Sequence, residues 1–311
     1  MKNPDILRAG PHAYAKAVST LKSGGLVALP TETVYGLAAD ACNEEAVAKI
    51  FAVKGRPFHN PLITHVFKPA DAEQYAHVNI LADTLVTAFW PGPLTLVLPR
   101  RDARSGGKAG AGLGTIALRC PDTDWTSTFV EMGFKGPVVM PSANRSGHVS
   151  PTTAQHVCDD LGDRIDLIID GGTCKNGIES TVLKIEDDHA ILLRVGSIPA
   201  EDFGPHISRL KAAKKSAGIT APGMLTSHYA PKARVRPCAT DKREGEAYLG
   251  FGPGKPEFDL NLSPSGDLGE AGRNFYACLR QLDRVETIAV APIPRSGLGA
   301  AINDRLRRAA A

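Results

Sequence analysis

Apolar and polar positions along the chain switch between helical and strand periods. Residues 13–23 have helical spacing and stop at Gly24-Gly25. Residues 26–29 form a short apolar run closed by Pro30, the pattern of a buried strand. Residues 43–53 predict a helix capped by Asn43, with Glu44 and Glu45 in the first turn, where the dipole favours acids. A strand over 62–67 and a helix over 80–89, stopped by Pro91-Gly92-Pro93, come next. Short apolar runs at 94–98, 115–118, 138–140, 167–169, 181–185 and 190–195 predict further strands. Helices separate only some of them, so this part reads as a mixed α/β sheet rather than strict βαβ alternation. Residues 205–223 are rich in Lys, Ala and Gly, contain no apolar strand, and read as a connector with room for one set of helical turns. After residue 232 the pattern predicts strands at 247–251 and 287–291 and helices at 267–282 and 299–308, a small Rossmann-like three-layer domain.

Composition narrows the class. The chain has 311 residues and a formal net charge of +3, with 43% hydrophobic and 22% charged residues, ordinary for a folded protein and against wholesale disorder. The charge is uneven. Residues 1–205 hold 19 Lys plus Arg against 23 Asp plus Glu, and residues 206–311 hold 17 against 10. A uniformly basic coat for nucleic acid is therefore unsupported. No run approaches the roughly 18 apolar residues that span a bilayer, and the N-terminus lacks the apolar core of a signal peptide. The six cysteines form no CxxC pair, which argues against a zinc knuckle or redox motif. A cytoplasmic protein with reduced thiols and no membrane association is expected.

Two glycine clusters carry no nucleotide fingerprint. Residues 106–114 lack the Lys-Ser/Thr ending of a P-loop and precede a strand, so they read as a surface loop. Residues 250–254 fail GxGxxG, and Pro253 has no N–H to offer a phosphate, so they read as a turn.

Candidate chemistry lies elsewhere. Thr31, Glu32 and Thr33 follow directly on a buried strand, a common ligand position or simply a local turn. Lys54 and Arg56 flank Gly55 at a helix end; they can converge on one anion, or offset the helix dipole. His65 lies within a strand and is either packed or functional. Arg119 and Arg194 end apolar strands, where a buried guanidinium needs a partner, either an anionic ligand or an internal acid. Ser142, Asn144 and Ser150 offer hydroxyls and a carboxamide after another strand, suited to phosphate or ribose oxygens. Together these segments describe a cationic, hydroxyl-rich cleft with no acid pair, no Cys–His nucleophile and no metal-ligand cluster. Such a cleft suits phosphoryl or nucleotidyl transfer by positioning and electrostatics.

Five segments then stand in fixed order: PTETVYGLAADA (30–41), KGRPFHNPLITHV (54–66), PSANRSGHVSPT (141–152), IESTVL (178–183) and LLRVGSIP (192–199). They resemble the motifs of the YrdC-like family, whose principal members are L-threonylcarbamoyladenylate synthases. APGMLTSHYAP (221–231) resembles the linker of the long two-domain form, with Ala221 where that motif has serine. The resemblance implies a YrdC-like twisted mixed-sheet catalytic domain over 1–205, a linker and lid over 206–232, and a small Rossmann-like accessory domain over 233–311. It implies that L-threonine, bicarbonate and ATP give threonylcarbamoyl-AMP and pyrophosphate, and that a downstream tRNA threonylcarbamoyl transferase complex uses the product at tRNA position 37. Direct tRNA binding is not required for that step. Carried over by position, Thr33, His65, Arg119, Ser180 and the Met140 backbone hold threonine. Arg56, Asn60, Thr115, Ser142, Ser150, Arg194 and Tyr229 hold ATP. Lys54 and Arg56 offset developing charge, Asn144 orients the site, and Tyr229 covers the nucleotide. Mg²⁺ arrives on the triphosphate. Two other readings differ in class. A non-catalytic RNA-binding protein of the same fold is disfavoured by the sparse aromatics. A carbamoyl-transfer module of hydrogenase maturation is disfavoured by the missing zinc-finger cysteine pairs.

Overall fold

The computed structural model describes residues 4–101, 107–213, 228–254 and 257–311. Helices form where the periodicity predicts them, at Pro11–Lys22, Glu44–Lys54 and Ile80–Phe89. Asn43 caps the second: its Oδ1 accepts from the N–H groups of Glu45 at 3.1 Å and Ala46 at 3.0 Å. Gly55 ends that helix with φ of 61°, a left-handed conformation that costs any residue with a Cβ. The Arg56 N–H turns back to the Phe51 carbonyl at 2.9 Å, which sets the course of the Lys54–Arg56 segment.

Eleven strands form one mixed sheet. Across it they run Asp5–Arg8, Leu167–Asp170, Val27–Leu29, Gly36–Asp40, Val138–Val139, Ile63–His65, Thr115–Arg119, Leu94–Pro99, Thr181–Ile185, Ala190–Arg194 and Leu210–Ala212. Leu94, Leu96, Leu98, Ile116, Leu118, Leu183 and Ile185 pack into a large core on one face. The opposite face of the same strands carries only a small strip of Ile63, Val97, Ala117, Val182 and Leu193. That thinner face is where the polar cavity forms.

The strand Leu210–Ala212 lies where the sequence, with no apolar run over 205–223, reads as a connector with room for helical turns. It pairs in parallel with Ala190–Leu192 at the sheet edge, and two flanking bonds, Ala190 N–H to Arg209 O at 3.1 Å and Ala213 N–H to Leu192 O at 3.2 Å, hold it. Its side chains are half-buried or exposed, so backbone pairing alone makes it a strand. Gly36–Asp40 also escaped prediction. Gly-Leu-Ala-Ala-Asp has little strand propensity and is imposed by antiparallel neighbours on both sides. The linker stretch 214–227, including Ala221, lies outside the described residues, as does part of the glycine-rich segment 102–106.

A second sheet has four parallel strands in the order Arg234–Arg236, Thr287–Val290, Glu246–Gly250 and Leu260–Asn261. Helices Leu268–Leu282 and Leu298–Ala309 both pack on one face of it, through Phe275, Leu279, Ile302 and Leu306. The other face is covered by Phe251 and Phe258 against Tyr248 and Ala289, in place of the helix layer expected from the alternation. The core under the two helices also takes in Val34, Val149 and Ile178 from the first part of the chain, with Tyr229 between. Among the described residues no helix is long and apolar enough to cross a membrane, and the six cysteines are unpaired.

Candidate active site

The cavity opens on the face of the central strands. Ile63 and His65 are two residues apart on one strand and so point the same way. Arg119 is the register partner of His65 on the parallel neighbour. With them Thr33, Arg56, Met140, Ser142, Ser180, Arg194 and Tyr229 line the space. Nine of the fourteen residues singled out from the sequence therefore share one wall-to-wall cavity.

Its first half is tightly bonded. Arg119 Nη2 donates to Thr33 Oγ1 at 3.0 Å and meets Glu32 Oε1 at 2.7 Å, while Nε donates to the Gly92 carbonyl at 3.3 Å. The Ser180 and Thr95 hydroxyls share a bond of 2.7 Å. A register shift between Leu192 and Arg194 turns Arg194 toward this site. Its Nε reaches the Ser180 carbonyl and its Nη2 the Ser180 hydroxyl, each at 3.0 Å. The Met140 N–H is already used, donating to the Ile63 carbonyl at 3.0 Å. His65 is buried with Nδ1 3.3 Å from the Ile63 carbonyl. Burial first, and the Arg119 charge second, hold its pKa well below 6.5, so the imidazole is neutral near pH 7.

The second half holds the other cations. Arg56 is buried, and its Nη2 donates to Asn60 Oδ1 at 2.7 Å and to the Pro61 carbonyl at 2.8 Å. Lys54 stands behind the cavity wall rather than on it. Its Nζ donates to the carbonyls of Ser142 at 2.6 Å and Asn144 at 2.5 Å, pinning that loop. Burial, then the nearby Arg56 charge, push Lys54 well below its usual 10.5. Asn60, Asn144 and Ser150 also form a supporting layer. Asn144 Nδ2 donates to the Arg145 and His148 carbonyls at 2.8 Å each, and Ser150 Oγ donates to Glu179 Oε1 at 2.6 Å. Thr115 begins the strand that ends at Arg119 and lies outside the cavity lining.

Tyr229 closes the top. It is 2% exposed, adopts φ of 65°, and packs edge-on against His228. That left-handed conformation is uncommon outside glycine and costs of order 1 kcal/mol or more. The open space left among the lining side chains is about 50 Å³, room for a water or two and far below the roughly 300 Å³ of a small-molecule pocket. Six buried polar atoms around the site have no hydrogen-bond partner: Asn60 Nδ2, Asn144 Oδ1, His228 Nδ1 and Tyr229 Oη on this side, and Glu32 Oε1 and Oε2 beside Arg119. Buried polar groups are nearly always paired, so such a cluster marks a place built to meet a polar ligand.

Two carboxylates lie at the cavity, each beside an arginine rather than beside the other. Glu32 sits with Arg119 and Glu179 with Arg305, so neither is a free acid or base. The partners lie 87 and 126 positions apart, so no sequence window could join them. Glu179 and His228 stand within the segments IESTVL and APGMLTSHYAP without a pattern that marks either for a role, and Arg305 carries no sequence signal at all. Among the described residues no group of three or more His, Cys, Asp or Glu could hold a metal ion.

Comparison with known proteins places the chain in a family. A family model for Sua5, YciO and YrdC proteins, described as "Telomere recombination", matches residues 19–196. A second, described as "Threonylcarbamoyl-AMP synthase, C-terminal domain", matches residues 190–311. The threonylcarbamoyl-AMP synthase of Pyrococcus abyssi is 38% identical over 94% of this chain and 92% of its own length. That of Bacillus subtilis is 37% identical over 98% and 95%. The crystal structure of P. abyssi Sua5 complexed with L-threonine superposes with a TM-score of 0.90 at 35% identity, covering 99% of this chain and 98% of that one. The chain belongs to the Sua5-type threonylcarbamoyl-AMP synthase family, with both the YrdC-type domain and the Sua5 C-terminal domain.

Proposed function

We propose that the protein forms threonylcarbamoyl-AMP and pyrophosphate from L-threonine, bicarbonate and ATP, for N6-threonylcarbamoyladenosine modification at position 37 of tRNA. The observation that carries this reading is one cavity lined at one end by Arg119 bonded to Thr33, with neutral His65 and Ser180 beside it, and at the other by buried Arg56 under Tyr229, with unmatched polar atoms close by. Family membership across the whole chain supports it.

In this scheme the Arg119 fork takes the threonine carboxylate, the planar match for which arginine is suited. Thr33, Ser180, neutral His65 and the Met140 carbonyl hold the hydroxyl and amine. The amine joins the bicarbonate carbon with loss of water, giving a carbamate. A carbamate oxygen then attacks the α-phosphorus of ATP; the new O–P bond forms as the bond to the β-phosphate oxygen breaks, and pyrophosphate leaves. Arg56, Arg194 and Lys54 spread positive charge under that transfer. Lys54 acts through its grip on Ser142 and Asn144 as well as through its charge. Asn60, Asn144, Ser142, Ser150 and Thr115 complete the nucleotide side, and Mg²⁺ travels with the triphosphate as part of the substrate. Tyr229 covers the nucleotide and keeps water from a labile mixed anhydride.

We further assign residues 1–205 to a YrdC-like catalytic domain, 206–232 to the lid-bearing linker and 233–311 to a small accessory α/β domain. The product passes to a downstream tRNA threonylcarbamoyl transferase complex in the cytoplasm. The test is pyrophosphate release by the purified protein. Release should need ATP, L-threonine and bicarbonate together; turnover indifferent to threonine, or tight RNA binding with no turnover, would reject the assignment.

A further inference from the structure

The Glu179 carboxylate joins the active-site wall to the accessory domain. Ser150 Oγ donates to its Oε1 at 2.6 Å. Tyr276 Oη lies 2.8 and 2.9 Å from its two oxygens. Arg305 reaches Oε2 with Nε at 3.1 Å and Nη2 at 3.0 Å. Both ends of the ion pair are buried, and the Arg305 side chain is fully enclosed. The same guanidinium donates from Nη1 to the Val195 carbonyl at 2.5 Å, one residue past Arg194. It also stands 5.0 Å from the centre of the Tyr229 ring, within cation–π range.

Neighbouring contacts fix the docking. Arg280 Nη2 donates to Asp160 Oδ2 at 2.8 Å and to the Val149 carbonyl. Gly177, with φ of 71°, lets the loop before Glu179 touch the accessory helix: a Cβ there would fall 2.3 Å from the Gly272 carbonyl. The lid segment is held from both sides, by His228 N–H to Arg308 O at 3.4 Å and Ala230 N–H to Gly147 O at 2.9 Å.

A buried ion pair adds little stability over well-packed apolar residues, so its value lies in fixing geometry. The groups fixed here are Ser150 and Tyr229. We propose that Tyr276 and Arg305 are positioning residues for adenylyl transfer, setting Ser150 through Glu179 and Tyr229 through direct contact with its ring, so that the nucleotide side of the site is complete only with the accessory domain docked. This rests on the reading of Ser150 and Tyr229 as nucleotide-binding groups.

The experiment compares Arg305→Lys, Tyr276→Phe and Tyr229→Ala in the full-length protein, measuring kcat, KM for ATP, KM for threonine and thermal midpoint. Arg305→Lys keeps the charge but loses the fork, and should raise KM for ATP roughly tenfold. Tyr276→Phe keeps the packing and should raise it by a smaller factor. In both, KM for threonine should stay within about twofold, a split that general loosening of the fold does not produce. Should Arg305→Lys fail to fold, Tyr276→Phe decides alone. Unchanged KM for ATP in the folded variants, or both KM values rising together, overturns the proposal. If Tyr229→Ala raises KM for ATP and the other two do not, this inference fails while the lid reading stands. If Tyr229→Ala also leaves it unchanged, the lid reading fails with it.

Discussion

The two halves of the cavity are built on different principles. Around Arg119 the arginine and the hydroxyls bond to one another, Arg119 to Thr33 and Ser180 to both Thr95 and Arg194, while the Glu32 carboxylate meets Arg119 as an ion pair and keeps both oxygens without a hydrogen bond. Every one of these groups except Glu32 and Thr33 sits on, or directly beside, a strand of the large sheet. Around Arg56 the protein leaves work undone. Asn60, Asn144, His228 and Tyr229 each keep an unpartnered buried atom, and Lys54 and Arg56 are cations held out of water. The roof comes from the linker and is braced from the accessory domain. A rigid, pre-bonded half orders a small substrate at little cost on binding. A half with unmet polar groups draws its stability from the ligand, so its affinity depends on whatever holds the roof down.

The largest effect expected from this contrast is on the cationic half. Arg56→Ala should lower kcat/KM for pyrophosphate release by roughly a hundredfold or more, the scale of removing one group that meets transition-state charge. Lys54→Ala should do at least as much, because it also releases two carbonyls of the Ser142–Asn144 loop. Circular dichroism and thermal melting would establish that both remain folded. Near-normal turnover in either would erase the distinction between the halves.

A smaller effect tests the bonded half. Arg119→Lys keeps a positive charge beside Glu32 and avoids leaving that carboxylate alone in the interior, which would itself cost about 3–5 kcal/mol. What it loses is the fork. KM for threonine should rise roughly tenfold, or about 1.4 kcal/mol, with KM for ATP little changed. A rise in KM for ATP of the same size would mean that the cavity is one coupled site rather than two.

The same contrast explains what could be read from the sequence. Elements set by their own residues were legible: the Asn43 cap, the Ile80–Phe89 helix before Pro91, and the apolar strands. Elements set by neighbours were not, as with Gly36–Asp40 and the edge strand Leu210–Ala212. In the cavity, cations and hydroxyls at strand ends announced themselves because such groups are costly to bury without purpose. The placement of Lys54 behind the wall, the arginine partners of Glu32 and Glu179, and the enclosure of Arg305 needed three dimensions. Arg305 in particular reads as one more charge on a helix whose last turn also carries Arg307 and Arg308.

The smallest effect concerns the roof and has a defined sign. His228 is pressed down to about 3, first by burial; the Arg56, Lys54 and Arg194 charges push the same way, against the pull of Glu179. Once the lid lifts, the ring meets water and returns toward 6.5. The open form therefore takes up the proton more readily between these values, so closure is fully favoured above 6.5 and weakens as pH falls toward 3. Between pH 7 and pH 6 the loss is roughly threefold in the closing equilibrium, reaching about tenfold per unit at lower pH. KM for ATP should rise by that factor in the unaltered protein. His228→Gln, which cannot gain the charge, should lose the acid dependence beyond what ATP's own protonation contributes. An identical acid limb in both proteins would show that the roof closes without regard to His228, and would move the origin of the acid dependence from the lid to the nucleotide.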